Sequence, residues 1–176
     1  MIRMEFRAEK MASAIAYIAS KIPHLTKKKI SKLLYFADKQ HLLVYGRTIT
    51  GDEYHALPQG HIPRRGLDML NQRPSWVSEK AIEALRRYGH LDENDKRTFL
   101  LQSAPDMKVF SKSDIRVLDA VISDLGDLTP SQLERLSHRE PSWKQTTEMK
   151  RVAFELFFEG HPEAQAIKEA LLATES

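Results

Sequence analysis

The chain has 176 residues, of which 41% are apolar and 29% charged, with a net charge of +3 and no cysteine. A chain of this length and composition can bury a hydrophobic core unaided, and the missing cysteines exclude disulfides, thiol catalysis and cysteine-based zinc or iron–sulfur sites. No apolar run approaches the roughly 20 residues that a membrane helix needs, and the charged start "MIRMEFRAEK" has no apolar region of a signal peptide behind it, so a cytoplasmic protein without a membrane partner is expected. The charge is uneven. Residues 1–50 carry ten Lys/Arg against three Asp/Glu, and the remainder seventeen against twenty-one. Such a front half suits an acidic partner or nucleic acid, or it forms a solvated basic face.

In chain order, residues 8–20 read as a first helix with Met11, Ile15 and Ile18 on its apolar side, stopped by Pro23. Thr26 is placed to cap a second helix that runs to about Tyr45 and stops at Gly46. Its first turn holds Lys27, Lys28 and Lys29. Cations there oppose the helix dipole at a cost of roughly 0.3–1 kcal/mol each, which hints at a use. On a helical wheel, Leu33, Leu34, Ala37, Leu42, Val44 and Tyr45 share one apolar arc, extended by Ile30, while Lys32 and Lys39 project to the other side. Asp38 and His41 fall inside the arc, one turn apart.

Beyond Gly46, Thr50-Gly51-Asp52 reads as a turn and Tyr54–Leu57 as a short extended piece. Gly60 and Pro63 mark a second turn, with Pro63 suited to the first position of a short helix carrying Leu67 and Leu70. Ser78 caps a helix with Ile82 and Leu85 that Gly89 ends. "RTFLLQ" and "MKVF" flank "SAPD" and suggest a small hairpin. From Ser113 the chain returns to helix, with Ile115, Leu118, Ile122 and Leu125 at helical spacing before Gly126. Thr129, Pro130 and Gln132 make a capping box for a helix bearing Leu133 and Leu136. Pro141 breaks it, and "VAFELFF" and "HPEAQAIKEALL" add two helical pieces. The expected class is mainly α, an α+β fold in which a compact helical domain over residues 1–176 carries a small inserted β-hairpin or sheet.

The chemistry-bearing residues point to few reactions. The seven histidines show no metal-binding spacing, and the motifs of nucleotide and serine-ester hydrolysis are missing, so no cofactor, metal or catalytic residue is assigned. Asp38 with His41 is the one catalytic-looking pair, since an Asp can orient a His as general base. No nucleophile stands beside them, which favours a buried polar network in which Asp38 docks neighbouring elements. "LTPSQLERLSH" opens like a helix-turn-helix unit, but the following "EPSWKQTTEMKR" offers a thin set of base-reading residues, so nucleic acid is the less favoured partner. Trp143 reads as a core anchor more than as an exposed hot spot.

The stretch "KLLYFADKQHLLVYGRTITGDEYHALPQGHIP" resembles the signature of the Panacea domain of SocA-like antitoxins. The matching residues are Lys32 to Asp38 (Tyr35 among them), His41, Leu42, Tyr45, Gly46, Arg47, Thr50, Gly51, Asp52, Tyr54, Gly60 and Pro63. "LSHREPSW" resembles a later element of the family through Leu136, Ser137, His138 and Trp143, and the likeness spans roughly residues 26–145. Where the family has Gly-Pro-Val-Pro, this chain has Gly60-His61-Ile62-Pro63, which puts a titratable ring in place of a proline.

The resemblance implies a non-enzymatic antitoxin of a bacterial or phage toxin–antitoxin module that neutralises a cognate toxin by direct protein binding. The alternatives it leaves are an adaptor that delivers the toxin to an ATP-dependent protease, and a DNA-binding regulator. The signature residues are then expected to be architectural, with Asp38 tied to the turn region between Thr50 and Pro63. Candidate partner-binding residues are Lys27, Lys28, Lys29, His61, Arg64 and Arg65.

Overall fold

The computed structural model describes residues 1–174, and the expected domain end at residue 176 lies outside the described residues. The fold is mainly α with a small β part, as expected: eight α-helices and two two-stranded antiparallel sheets among the described residues.

Helix α1 (Ala8–Lys21) buries Met11, Ile15 and Ile18. Helix α2 (Lys27–Tyr45) starts at Thr26, whose hydroxyl accepts from the Lys29 amide at 3.2 Å, and stops at Gly46 in the left-handed conformation. The capping chemistry on either side of α2 therefore sets its length. Two core clusters meet on this helix. Leu33, Leu34 and Ala37 join the core built on α1, while Tyr35 and Leu42 join a second core with Ile2, Tyr54, Phe154 and Phe157. Helix α2 is thus covered around most of its circumference, and the single apolar arc is an incomplete description of it. Lys32, expected to project away, is fully buried, whereas Val44 and Tyr45, expected in the arc, are exposed.

Strands β1 (Tyr54–Leu57) and β2 (Gly60–Pro63) pair in register Tyr54↔Pro63 to Leu57↔Gly60. The segment expected as a second turn is therefore a strand, and the turn itself is Pro58-Gln59. Gly60 is required here because a Cβ would sit 2.4 Å from the Ser137 hydroxyl oxygen. The free edge of β1 is covered from far along the chain: Val152 N donates to Tyr54 O at 2.7 Å and Ala56 N to Lys150 O at 3.0 Å. Covering that edge satisfies backbone groups that would otherwise invite pairing with another chain.

Pro63 precedes helix α3 (Arg64–Leu70) as its cap residue instead of entering its first turn. Proline has no side-chain acceptor, so the carboxylate of Asp52 supplies the cap, taking the Arg65 amide at 3.0 Å and the Gly66 amide at 2.7 Å. Helix α4 (Glu79–Arg86) is capped by Ser78. It ends three residues before Gly89, which instead begins β3 (Gly89–Leu91).

The partner of β3 is β4 (Phe99–Leu101), so "RTFLLQ" pairs backward and not with "MKVF". Two local traps explain the correction. Asp95 collects the Arg97 amide, the Thr98 amide and the Thr98 hydroxyl, which folds the loop between β3 and β4. Asp106 accepts from the Lys108 amide at 2.9 Å and draws Met107–Val109 into a 3-10 turn.

Helix α5 (Lys112–Leu125) begins one residue before Ser113, because the capping box is made by Ser111 and Asp114. Helix α6 (Pro130–Arg139) has the expected box of Thr129 and Gln132 with Pro130 in its first turn. Helix α7 (Pro141–Lys144) is a single turn, too short for the recognition helix of a helix-turn-helix unit. "VAFELFF" contains the 3-10 helix Phe154–Phe158, and helix α8 (Ala164–Thr174) follows with no fully buried residue.

The N-terminal segment crosses the loop after α2, where the Arg7 amide donates to Thr50 O at 2.9 Å. Gly51 beneath it has φ +73°, and a Cβ there would lie 1.8 Å from the Glu5 carbonyl oxygen. Gly51→Ala is expected to destabilise the fold by about 2–4 kcal/mol through strain and overlap. Urea unfolding of the variant against the parent measures it.

Candidate functional site

The signature residues converge on α2 and form three buried polar networks. In the first, the Asp38 carboxylate is fully buried and receives four donors. Its Oδ1 accepts from the Ile49 amide at 2.7 Å and the Thr50 amide at 3.0 Å, and its Oδ2 accepts from the Thr50 hydroxyl at 2.5 Å and the Tyr54 hydroxyl at 2.7 Å. Burial pushes the Asp38 pKa upward, against these hydrogen bonds. Next to it, Asp52 holds α3, and burial raises its pKa to about 7 against the Gly66 and Arg65 amides.

Asp38 and His41 do not act as a dyad, because each faces a different set of partners. In the second network, His41 Nδ1 lies 2.7 Å from the Arg47 carbonyl oxygen. That oxygen only accepts, so Nδ1 is the donor in this contact. Its Nε2 faces the Ser113 hydroxyl at 2.9 Å and Asp114 Oδ1 at 3.2 Å. Asp114 is fully buried and also takes Lys10 at 2.8 Å, Arg47 at 2.9 Å and the Ser111 amide at 2.8 Å. Burial works against its charge, but bonds from His41, Lys10, Ser111 and Arg47 outweigh it and hold the carboxyl well below the ordinary range. One carboxylate thereby ties α1, α2, the loop after α2 and α5 together. Tyr45, at the edge of this network, accepts from Arg116 at 3.2 Å.

The third network joins α2 to the hairpin, α6 and α7. The Lys32 ammonium donates to the His61 carbonyl at 2.9 Å. The His61 ring stacks on Tyr35 at 3.6 Å, with Nδ1 2.7 Å from the Ser137 hydroxyl and Nε2 2.8 Å from the Ser142 hydroxyl. Tyr35 in turn contacts Ser142 and donates to Glu140, which also receives Lys39. Burial lowers the Lys32 pKa to about 7 and, together with Lys32 and Lys39, lowers that of His61 to about 2. His61 is therefore a neutral bridge, with one ring nitrogen donating and the other accepting. Nearby, the Trp143 indole donates to the Leu57 carbonyl at 2.9 Å and His138 Nε2 to that of Pro58 at 2.7 Å, so both grip the hairpin turn.

His61, expected as a partner-binding residue at the surface, is instead fully buried. The serines of its network are as deeply enclosed, and none of these groups lines a described cavity. The other five candidates lie at the surface but do not form one patch. Lys27 donates to Asn71 at 3.2 Å, Lys28 pairs with Glu134, and Lys29 donates to the Gly126 carbonyl at 2.5 Å. Arg64 lies 4.9 Å over the exposed Trp76 ring, and Arg65 lies over Phe6 near Asp52. Among the described residues, no group of three or more His, Asp or Glu side chains is arranged to hold a metal ion, and no helix is long and apolar enough to cross a membrane.

Sequence reasoning missed Lys10, Ser111, Asp114, Glu140 and Ser142. Asp114 is concealed by its second role, since the third position of a capped helix explains an Asp without any tertiary partner. Lys10 reads as a solvated residue on a helix surface.

Two measurements probe these networks. Asp38→Asn replaces one acceptor oxygen with an amide donor, leaving at least one buried donor unpartnered. A stability loss of about 2–4 kcal/mol is expected in urea unfolding, with the near-ultraviolet signature of the aromatic core altered. For His61, the unfolded ring binds a proton near pH 6.5 and the folded ring only near 2. Its stabilisation is therefore complete above the unfolded value and is lost as the pH falls, by about 1.4 kcal/mol per unit at most. Unfolding curves of the parent and His61→Gln should converge as the pH is lowered from 7 toward 5.

The model of the family "Antitoxin SocA-like, Panacea domain" matches residues 30–144, more than half of the chain. This range contains all three networks except Lys10 of α1. No curated protein and no solved structure matches the chain. By that match, the chain belongs to the SocA-like antitoxin family, with a Panacea domain as its centre.

Proposed function

We propose that this chain is the antitoxin of a bacterial or phage toxin–antitoxin module and neutralises a toxin by direct protein binding in the cytoplasm. The family match over residues 30–144 carries the reading. The geometry supports binding over catalysis: the carboxylates, histidines and serines that resemble catalytic groups are enclosed in structural networks at Asp38, Asp114 and His61, away from the described cavities. Residues 1–176 act as one unit in this reading, because Ile2 and Val152, Phe154 and Phe157 complete the core around Tyr35 and Tyr54.

Co-expression tests the proposal. Each gene beside this one is induced alone and together with it, and growth is followed. One neighbour is expected to arrest growth alone and to be silenced by this chain, with the two proteins co-purifying. If no neighbour is toxic, the antitoxin reading fails. Rescue that disappears in cells lacking ATP-dependent proteases replaces the blocking mechanism with an adaptor. Rescue that tracks operator binding without co-purification replaces it with a transcriptional regulator.

A further inference from the structure

We infer that a basic groove at the start of α2 is the docking site for an acidic segment of the partner protein. The inference rests on the antitoxin reading for the identity of that partner. A groove of about 610 Å³ lies between the first turn of α2, the β1–β2 hairpin, α3, the start of α6 and the loop before β4. Its apolar part is supplied by Leu57, Ile62 and Leu67, and its charged lining is Lys27, Lys28 and Arg97, with no acidic residue among the liners.

The cations are held in place by the backbone. The Lys27 amide donates to the Arg97 carbonyl at 2.8 Å, and Thr26 and Thr98 form a bridge beside it. Their side chains are unevenly neutralised. Lys27 has only the neutral Asn71 amide oxygen, and Lys28 is answered by Glu134 on α6. Arg97 is exposed and its guanidinium makes no hydrogen bond or ion pair among the described residues, although it interacts electrostatically with Asp95. Lys27 and Lys28 also occupy the first turn of a 19-residue helix, where the dipole disfavours cations. An incoming carboxylate offsets the charge of Lys27 and Arg97 and relieves the conflict of Lys27 and Lys28 with the helix dipole.

The mixed lining selects the chemistry. Carboxylates meet the three cations, and the apolar part takes one or two aliphatic side chains from the same segment. A nucleic-acid backbone offers that surface sugar faces but no aliphatic side chain, and three cations release few counterions. An acidic peptide segment with interspersed aliphatic residues is the better occupant.

The test uses the full chain and a variant carrying Lys27→Glu, Lys28→Gln and Arg97→Glu. A carboxylate at position 27 suits the helix dipole, so circular dichroism and melting temperature should be retained. The probe is a fluorescent peptide, Glu-Leu-Glu-Glu-Leu-Glu, with anisotropy as affinity readout and amide shifts at Ser31, Ile62 and Asn71 as location readout. Saturable binding with shifts at these residues is expected, at least about tenfold weaker in the variant. Absence of groove shifts, unchanged affinity in the variant, or displacement of the peptide by a 20-base-pair duplex at equal concentration overturns the proposal, the last in favour of nucleic acid. In the co-expression assay, the variant should lose rescue while Lys80→Glu with Arg86→Glu, on α4, keeps it. A variant that still rescues overturns the groove and leaves the antitoxin reading standing. If no neighbour is toxic, that reading fails and the peptide alone decides the groove.

Discussion

The Asp38 carboxylate is fully buried in the second half of α2 and gathers two amides and two hydroxyls from residues 49–54. A carboxylate without partners in such a place is prohibitively costly, so its burial demands that the loop after α2 return to it in one geometry. That return delivers Tyr54 to the start of β1 and Asp52 to the first turn of α3. It also places Thr50 to receive the N-terminal segment through Arg7. The hairpin, α3 and the chain start all depend on one side chain of α2.

The other two networks apply the same principle elsewhere on α2. Asp114 pulls α1 and α5 onto the helix through Lys10, Arg47 and His41, and the Lys32–Tyr35–His61 set pulls in α6 and α7. Apolar packing alone tolerates sliding between helices, whereas a hydrogen-bonded buried charge accepts one arrangement. In this chain the signature residues at Asp38, His41, Lys32 and Tyr35 fix how the neighbouring elements dock on α2. On the proposed reading, recognition falls to exposed parts such as the groove at Lys27 and Arg97.

Much of the outline was legible in the chain. Thr26 and Gly46 bounded α2, Thr129 with Pro130 and Gln132 opened α6, and Ser78 opened α4, because caps act within one turn of themselves. The tie between Asp38 and the following loop was also within reach, since Ile49, Thr50 and Tyr54 lie only 11 to 16 residues away. The pairing of β4 was not, because "RTFLLQ" has strand-forming residues on both sides and the choice was made by the Asp95 turn and the Asp106 cap. His61 and Lys32 were misplaced for a related reason. A titratable or cationic side chain reads as a surface residue until the elements covering it are known.

The sequence alone determined the helical class, most helix ends and the family, since each rests on local periodicity, capping or a contiguous motif. The tertiary structure alone decided that Lys32, His61 and Asp114 lie inside, that residues 149–152 cover the edge of β1, and that Lys27, Lys28 and Arg97 share one groove. Their partners come from distant parts of the chain. Solvent exposure and electrostatic company are properties of the packed arrangement, set when those segments meet and not by any residue's near neighbours.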